Sequence, residues 1–508
     1  MKILNGGTNN LVNKKFYITT AIDYVNARPH VGHAFEKVLA DAIARWNRLN
    51  GKDVFFLTGV DENAQKNVQA AEKAGIPVKE FIDKNTKHFT DLCKKLNLSH
   101  DEFIRTTAKD HALVVQKILK NIIENGDIYK SKYEGLYCIG CEAYYSENDL
   151  INGKCPDHDK TPELRKEEAY FFKLSKYKKE LQKLILNYVI PESKVHEILN
   201  RVNKELNDIC ISRYKADWGI DFPSDKNFKV WVWIDALINY ISGLKNKEKV
   251  YWPAQLHVIG KGINWFHSVI WPAILLSAGY KLPEKLLVHG YLTKDGKKMS
   301  KSLGNVIDPL TLLEKYSTDT IRYSLLKCSV FDDSDFSEEI IIDRNNNELA
   351  NKLGNLVSRV STLAEKYGIE KKVGTSILAK ETLKQVENHF NNYELHKVLE
   401  VIFTYIDKTN EYIQEKKPWE VRSPQREAPQ QSEEARSKSE SNSRKVLYEL
   451  VLAIKNISIL ISPFMPETAE KISKVFNFKI SLDELDKPLN TKENIKKAEI
   501  LFKKYNEN

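Results

Sequence analysis

Phe16-Tyr17-Ile18-Thr19-Thr20-Ala21-Ile22 is an apolar, β-branched run that leads through Asp23-Tyr24 to Pro29-His30-Val31-Gly32-His33. Beyond it Ala34, Phe35, Val38, Leu39, Ala42, Ile43, Trp46 and Leu49 recur at helical spacing, and Asn50-Gly51 stops the helix. Val54 to Thr58 then reads as a second buried strand. Strand, helix and strand in this compass make a βαβ unit of a parallel sheet. His30 and His33 fall where the first strand meets the helix, at the carboxyl end of the sheet, where open α/β proteins hold ligands. The N–H groups of the first helical turn favour an anion there, and Gly32 keeps side-chain bulk away from it. Taken alone, two histidines at a helix start are better explained by local hydrogen bonds.

Working outward, the α/β pattern breaks between about residues 118 and 224 and resumes at Val230-Trp231-Val232-Trp233-Ile234 and Leu256-His257-Val258-Ile259-Gly260. An insertion into one Rossmann-like domain explains the break. After about residue 340 long amphipathic stretches, 348–367 and 445–461, predict a helical bundle. Residues 423–444 carry almost no apolar side chain and are expected to form a mobile loop. The expected organisation is therefore 14–117 and 225–340 as two halves of one α/β domain, 118–224 as the insertion, and 341–508 as the bundle.

With 508 residues and 42% apolar content the chain can bury the cores of several domains. It holds no run of 18 uncharged apolar residues, so no membrane span is expected. The polar start, Met1 to Lys15, has no signal-like apolar core, and a cytoplasmic location is expected. An excess of 78 Lys+Arg over 69 Asp+Glu, +9, is compatible with a polyanionic partner without requiring one. Six cysteines in so long a chain are no disulfide framework. Cys93, Cys210 and Cys328 are scattered singly and read as core residues. Cys138-Ile139-Gly140-Cys141 and Cys155-Pro156-Asp157-His158, separated by thirteen residues, are spaced as two turns around one tetrahedral zinc. Four protein ligands leave no position for water, so this Zn2+ is expected to be structural, one per chain.

A second candidate phosphate-binding stretch is Lys298-Met299-Ser300-Lys301-Ser302, flanked by Gly296 and Gly304 and expected to be a loop able to close over a triphosphate. In this order and on these elements, the two stretches resemble the HIGH and KMSKS signatures of class I aminoacyl-tRNA synthetases. Thr20-Ala21-Ile22-Asp23-Tyr24, Phe56-Leu57-Thr58-Gly59-Val60-Asp61, Trp233-Ile234-Asp235-Ala236-Leu237-Ile238-Asn239-Tyr240 and Trp265-Phe266-His267 resemble the methionyl members in particular. The resemblance covers most of residues 14 to 325 and continues into the helical region.

It implies an α/β fold: a Rossmann-like parallel-sheet catalytic domain split by a zinc-binding insertion, then an α-helical anticodon-binding bundle. The implied activity is methionine–tRNA ligation. L-Methionine and ATP, with Mg2+, give methionyl-adenylate and pyrophosphate, and methionine then passes to tRNA(Met). His30, His33, Lys298, Lys301 and Arg213 correspond to catalytic positions, and Gly32 and Ser300 join the histidines and lysines around ATP. Ala21, Ile22, Tyr24, Asp61, Trp233, Ala236, Leu237, Tyr240, Phe266 and His267 correspond to the methionine pocket, with Asp61 on the ammonium group. An aromatic cage suits a polarisable thioether, and Tyr240 and His267 can present hydrogen-bonding groups to the sulfur. Asn351, Asn355 and Arg359, at i, i+4 and i+8, share a helix face and with Pro418 and Trp419 correspond to anticodon-reading positions.

Two departures stand out. Asp61-Glu62-Asn63-Ala64 replaces the family's Asp-Glu-His-Gly. Gly262, in Gly260-Lys261-Gly262-Ile263, replaces an aspartate that in the family contacts the adenosine ribose, which predicts weaker ATP binding or a substitute contact. Leucyl, isoleucyl and valyl enzymes carry an editing insertion larger than residues 118–224 allow, and a cysteinyl enzyme places zinc in its catalytic pocket. A tRNA-binding regulator without catalysis would have no use for His30, His33, Lys298 and Lys301. The chain closes soon after the bundle, so no appended tRNA-binding or dimerising domain, and a monomer, are expected.

Overall fold

The β-branched run at the start does form a strand, β1 (Lys15–Thr20), buried along almost its whole length. The computed structural model describes residues 15–138, 143–145, 150–156, 159–204, 206–299, 304–372, 380–420, 433–490 and 495–506. Beside β1 lie β2 (Asp23–Tyr24), β3 (Asp53–Asp61), β4 (Glu102–Arg105), β5 (Val189–Ile190), β6 (Leu256–Gly260) and β7 (Leu286–His289). Among the described residues they make one seven-stranded sheet, ordered β2-β3-β1-β6-β7-β5 with β4 also on β3, and every pairing is parallel. From β1 the chain continues to β3 on one side, while β6 and β7 lie on the other. The boundary between β1 and β6 is thus the switch point at which such sheets open a ligand crevice.

Helix α1 (Val31–Leu49) crosses from that crevice to β3, with fourteen of its nineteen residues buried. Helices α2 (Lys109–Glu124) and α3 (Val232–Ser242) follow, and α3 is buried on every face. The core of this region joins Tyr17, Phe55 and Leu57 of the sheet to Ile234, Ile238 and Trp271 of the helices. Burial of each such side chain is worth about 1.5–3 kcal/mol.

The insertion is less separate than the sequence suggests. Strands Ile128–Cys138, Ala143–Tyr145, Glu163–Phe172 and Ile209–Cys210 form their own antiparallel sheet. Yet β5, from the middle of 118–224, is the edge strand of the main sheet, and residue 118 falls inside α2. A two-residue edge strand carries no periodicity, which is why the sequence hid it.

The chain divides into two compact units, up to Tyr291 and from Leu292 onward. The second begins with a small sheet, Leu292–Lys294, Lys297–Lys298 and Ser334–Asp335, and continues as helices. A wide-turned helix, Arg344–Gly354, runs into α4 (Asn355–Tyr367), with α5 (Leu395–Lys416) and α6 (Glu433–Ile461) further on.

The loop expected at 423–444 is corrected in part. Residues 433–444 are the first turns of α6, while 421–432 lie outside the described residues. Helix propagation from the buried 446–461 segment explains this, because adding a turn to an existing helix is cheap. Glu370 reinforces it, accepting from Ser441 Oγ at 2.9 Å and facing Lys445 Nζ at 3.3 Å.

Candidate active site

His30 is the N-cap of α1, and the two histidines close a reciprocal capping box. The Gly32 N–H donates to His30 Nδ1 at 3.1 Å, and the His30 N–H donates to His33 Nδ1 at 3.0 Å. Both Nδ1 atoms are thereby acceptors, so the protons reside on Nε2. The rings stack with centroids 3.8 Å apart. Local satisfaction of the histidines and a phosphate-directed role are therefore one arrangement: the cap fixes the tautomer that offers N–H donors. Gly32 is needed for an unforeseen reason. A Cβ there would come within 2.9 Å of His30 Cε1.

Beneath the pair, His33 Nε2 lies 3.8 Å from Asp23 Oδ1, and Asp23 Oδ2 accepts from the fully buried Lys37. Burial opposes the Lys37 charge, but Asp23, Glu36 and Cys93 outweigh it and hold the ammonium protonated. Sequence reasoning passed over this lysine. The available signal was a charged residue among Ala34, Val38 and Leu39 on an apolar helix.

Asp61 closes β3, buried, with one carboxylate oxygen accepting from the Asn63 N–H at 3.1 Å. Asn63, one of the two departures, has a definite place: its amide donates to Asp235 Oδ2 at 2.7 Å and to the Thr106 carbonyl at 3.1 Å. Asp235 in turn holds His111 Nε2 at 2.5 Å, and His111 Nδ1 meets Ser242 Oγ at 2.7 Å. Glu62, wholly buried, is a second hub missed in the sequence. It accepts from Thr86 Oγ1 at 2.7 Å, Arg105 Nε at 2.8 Å and Thr107.

Ala21 and Ile22 follow β1, and the Ala21 N–H donates to the Val258 carbonyl at 3.2 Å. Tyr24 stands edge-on to Trp233 at 6.4 Å, and Lys66 lies 3.6 Å above its ring. Trp233 and Phe266 stack face to face at 3.5 Å, while Ala236 and Leu237 are buried on the same helix as Trp233. Tyr240 and His267 meet, Oη to Nε2 at 2.7 Å. His267 Nδ1 donates to the Ile263 carbonyl at 3.0 Å, which makes Nε2 the acceptor of the phenolic proton. The phenolic proton of Tyr240 and the Nδ1 proton of His267 are thus both engaged within the protein. Burial pushes His267 down to about 4, so its ring is neutral at pH 7.

Arg213 lies on a short strand, Ser212–Tyr214, with its guanidinium 4.8 Å from the Tyr137 ring and donating to the Ser212 carbonyl at 2.8 Å. In the second unit Lys298 is exposed, on one strand of a tight hairpin. Asp295 and Gly296 both have positive φ, 54° and 69°, as a two-residue primed turn requires. The Gly296 N–H is tied to Asp335 Oδ1 at 2.9 Å. Ser300 and Lys301 lie outside the described residues.

Asn351 and Asn355 are exposed on one face, and the Arg359 guanidinium lies 4.0 Å over the Trp419 ring, with Pro418 buried beside it. Lys417, in the left-handed conformation at the end of α5, turns the chain so that Trp419 meets α4.

Cys138 and Cys155 are both buried, and Cys141 and His158 lie outside the described residues. Cys138 pairs with Ala143 in the antiparallel sheet of the insertion. The Asp159 N–H donates to the Cys155 carbonyl at 2.9 Å. Two buried thiols have the chemistry of zinc ligands.

The family described as "tRNA synthetases class I (M)" matches residues 16–160 and 145–361, and "Anticodon-binding domain of tRNA ligase" matches 377–507. The parallel sheet, its histidine-capped helix and the helical second unit are those of a class I tRNA synthetase. The methionine–tRNA ligase of Clostridium acetobutylicum is 41% identical over 488 residues, 92% of this chain and 74% of that protein. That of Brucella suis is 39% identical over 482 residues, 90% of this chain and 91% of that protein. The crystal structure of Mycobacterium tuberculosis methionyl-tRNA synthetase bound by methionyl-adenylate matches with a TM-score of 0.89 at 35% identity, covering 96% of this chain and 100% of that one. The chain belongs to the methionine–tRNA ligase family.

Proposed function

We propose that this chain activates L-methionine with ATP to methionyl-adenylate, releasing pyrophosphate, and transfers the methionine to tRNA(Met). The observation that carries the reading is the histidine capping box at the β1/β6 switch point, one strand away from Asp61 at the end of β3. Two Nε2–H donors and the amino end of α1 favour negative charge growing on the α-phosphate. The methionine carboxylate is the nucleophile, so the side chains position and stabilise rather than react. Lys298 and Lys301 add cationic charge to the triphosphate, Ser300 and Gly32 line it, and Mg2+ accompanies ATP. Arg213 serves the pyrophosphate side.

Asp61 takes the substrate ammonium group, and Ala21, Ile22, Tyr24, Trp233, Ala236, Leu237, Phe266, Tyr240 and His267 enclose the thioether. Because Tyr240 and His267 bond each other, selectivity for sulfur rests on ring faces and shape rather than on donated protons. Arg359 and Trp419, with Asn351, Asn355 and Pro418, meet the anticodon, where an indole and a guanidinium can stack on and bond to splayed bases. Cys138, Cys141, Cys155 and His158 hold one structural Zn2+. The protein works as a cytoplasmic monomer.

The test is aminoacylation of tRNA(Met) with labelled methionine. Charging that requires both ATP and methionine is expected; charging with another amino acid in preference would overturn the proposal.

A further inference from the structure

We propose that Asp335 is a positioning residue of the activation reaction, its carboxylate latching the hairpin that carries Lys298. This rests on the role given to Lys298 above. The hairpin strands, Leu292–Lys294 and Lys297–Lys298, pair Thr293 with Lys298 and Lys294 with Lys297. Residues 295–298 are exposed. A two-stranded ribbon is at best marginally stable in water, and one this short needs a hold beyond its own ladder to keep Lys298 in place.

The strand Ser334–Asp335 supplies that hold. Asp335 lies opposite Thr293, and Thr293 lies opposite Lys298, so the three side chains stand abreast on one face of the small sheet. Asp335 Oδ1 accepts from Thr293 Oγ1 and from the Gly296 N–H at 2.9 Å, and Oδ2 faces the same N–H at 3.2 Å. One carboxylate thus grips a strand of the hairpin and its turn together. The bond from Thr293 and then that from Gly296 hold the Asp335 carboxyl below its ordinary range, which keeps it an anionic acceptor. The latch stands on a firm support. The Phe336 N–H donates to the Thr293 carbonyl at 2.9 Å, the Phe336 side chain is fully buried, and Ser337 caps the helix Glu338–Asp343. A cation ordered before the triphosphate arrives spends less of the binding energy on its own immobilisation.

The experiment measures ATP–pyrophosphate exchange, with ATP and methionine binding by calorimetry, for Asp335→Ala, Asp335→Asn, Lys298→Ala and the double variant of Asp335→Ala with Lys298→Ala. Asp335→Ala should lower kcat/KM for ATP about tenfold, the low end of what a hydrogen bond to a charged group is worth, and leave methionine affinity within about twofold. Asp335→Asn should recover most of that loss, because a single oxygen accepts from both Thr293 and Gly296. In the Lys298→Ala background, Asp335→Ala should cost less than about twofold, since no ammonium is left to place. A loss below about twofold in Asp335→Ala, or an Asn variant no better than Ala, would overturn the assignment. So would an undiminished loss in the Lys298→Ala background, which would mark Asp335 as merely structural. If the wild type bound ATP but catalysed no exchange, the functional reading would fail while the ATP affinities of the same variants still judged the latch.

Discussion

Single side chains decide more here than their motif suggests. His30 and His33 are legible in the sequence as a pair, but the capping geometry that fixes their tautomer is not. Gly32→Ala should therefore force the His30 ring off the Gly32 N–H. We expect a loss of about 0.5–2 kcal/mol in unfolding free energy, the usual value of an N-cap, and a far larger proportional loss of pyrophosphate exchange. Circular dichroism and exchange kinetics on one preparation would check this; full exchange activity would contradict it. His267 gives a pH prediction. Its folded pKa, about 4, lies below the unfolded value of 6.5. Between those values the unfolded chain binds a proton that the folded one refuses, so stability falls as pH drops through the window, by about 3 kcal/mol at most. Urea denaturation should show a smaller loss between pH 7 and pH 4.5 for His267→Gln than for the wild type. Lys37 and Glu62 escaped sequence reasoning because a buried charge is recognisable only through its partners, Asp23 in one case and Arg105 with two threonines in the other.

At the scale of elements, periodicity made α1, β3 and the amphipathic helices readable, and it failed where it is too short or absent. β5 is two residues long and gains its identity from pairing with β7. Residues 433–444 are polar on every side and helical because α6 continues behind them. Asp295-Gly296 is a hairpin turn whose composition alone, Asp-Gly, makes it legible. The contact between α4 and the end of α5 leads to a further prediction. Trp419→Ala should cut tRNA charging about tenfold or more, the value of one base stacked on an aromatic ring, with adenylate formation left within about twofold. Equal losses in both would identify a folding defect. The spacing of Cys138, Cys141, Cys155 and His158 in the insertion predicts one zinc per chain by elemental analysis of freshly purified protein. Cys138→Ser and Cys155→Ser should each lose it along with thermal stability. A chain that is folded and active without zinc would refute the knuckle.

Over the molecule as a whole, family membership, sheet order and the helical second unit agree, and the resemblance read from short motifs extends along nearly the full chain. What the sequence could not convey is how its two departures are accommodated. Asn63 ties β3 to α3 through Asp235, and Gly262 leaves room for a phenol from beyond β7. Each accommodation brings together residues far apart in sequence, and no local pattern encodes that. The most direct test of the account is ATP–pyrophosphate exchange measured separately with each of the twenty amino acids. Methionine should support exchange at least about a hundredfold faster than leucine or cysteine, a difference of about 2.8 kcal/mol in transition-state binding. Exchange independent of methionine, or faster with another amino acid, would contradict it.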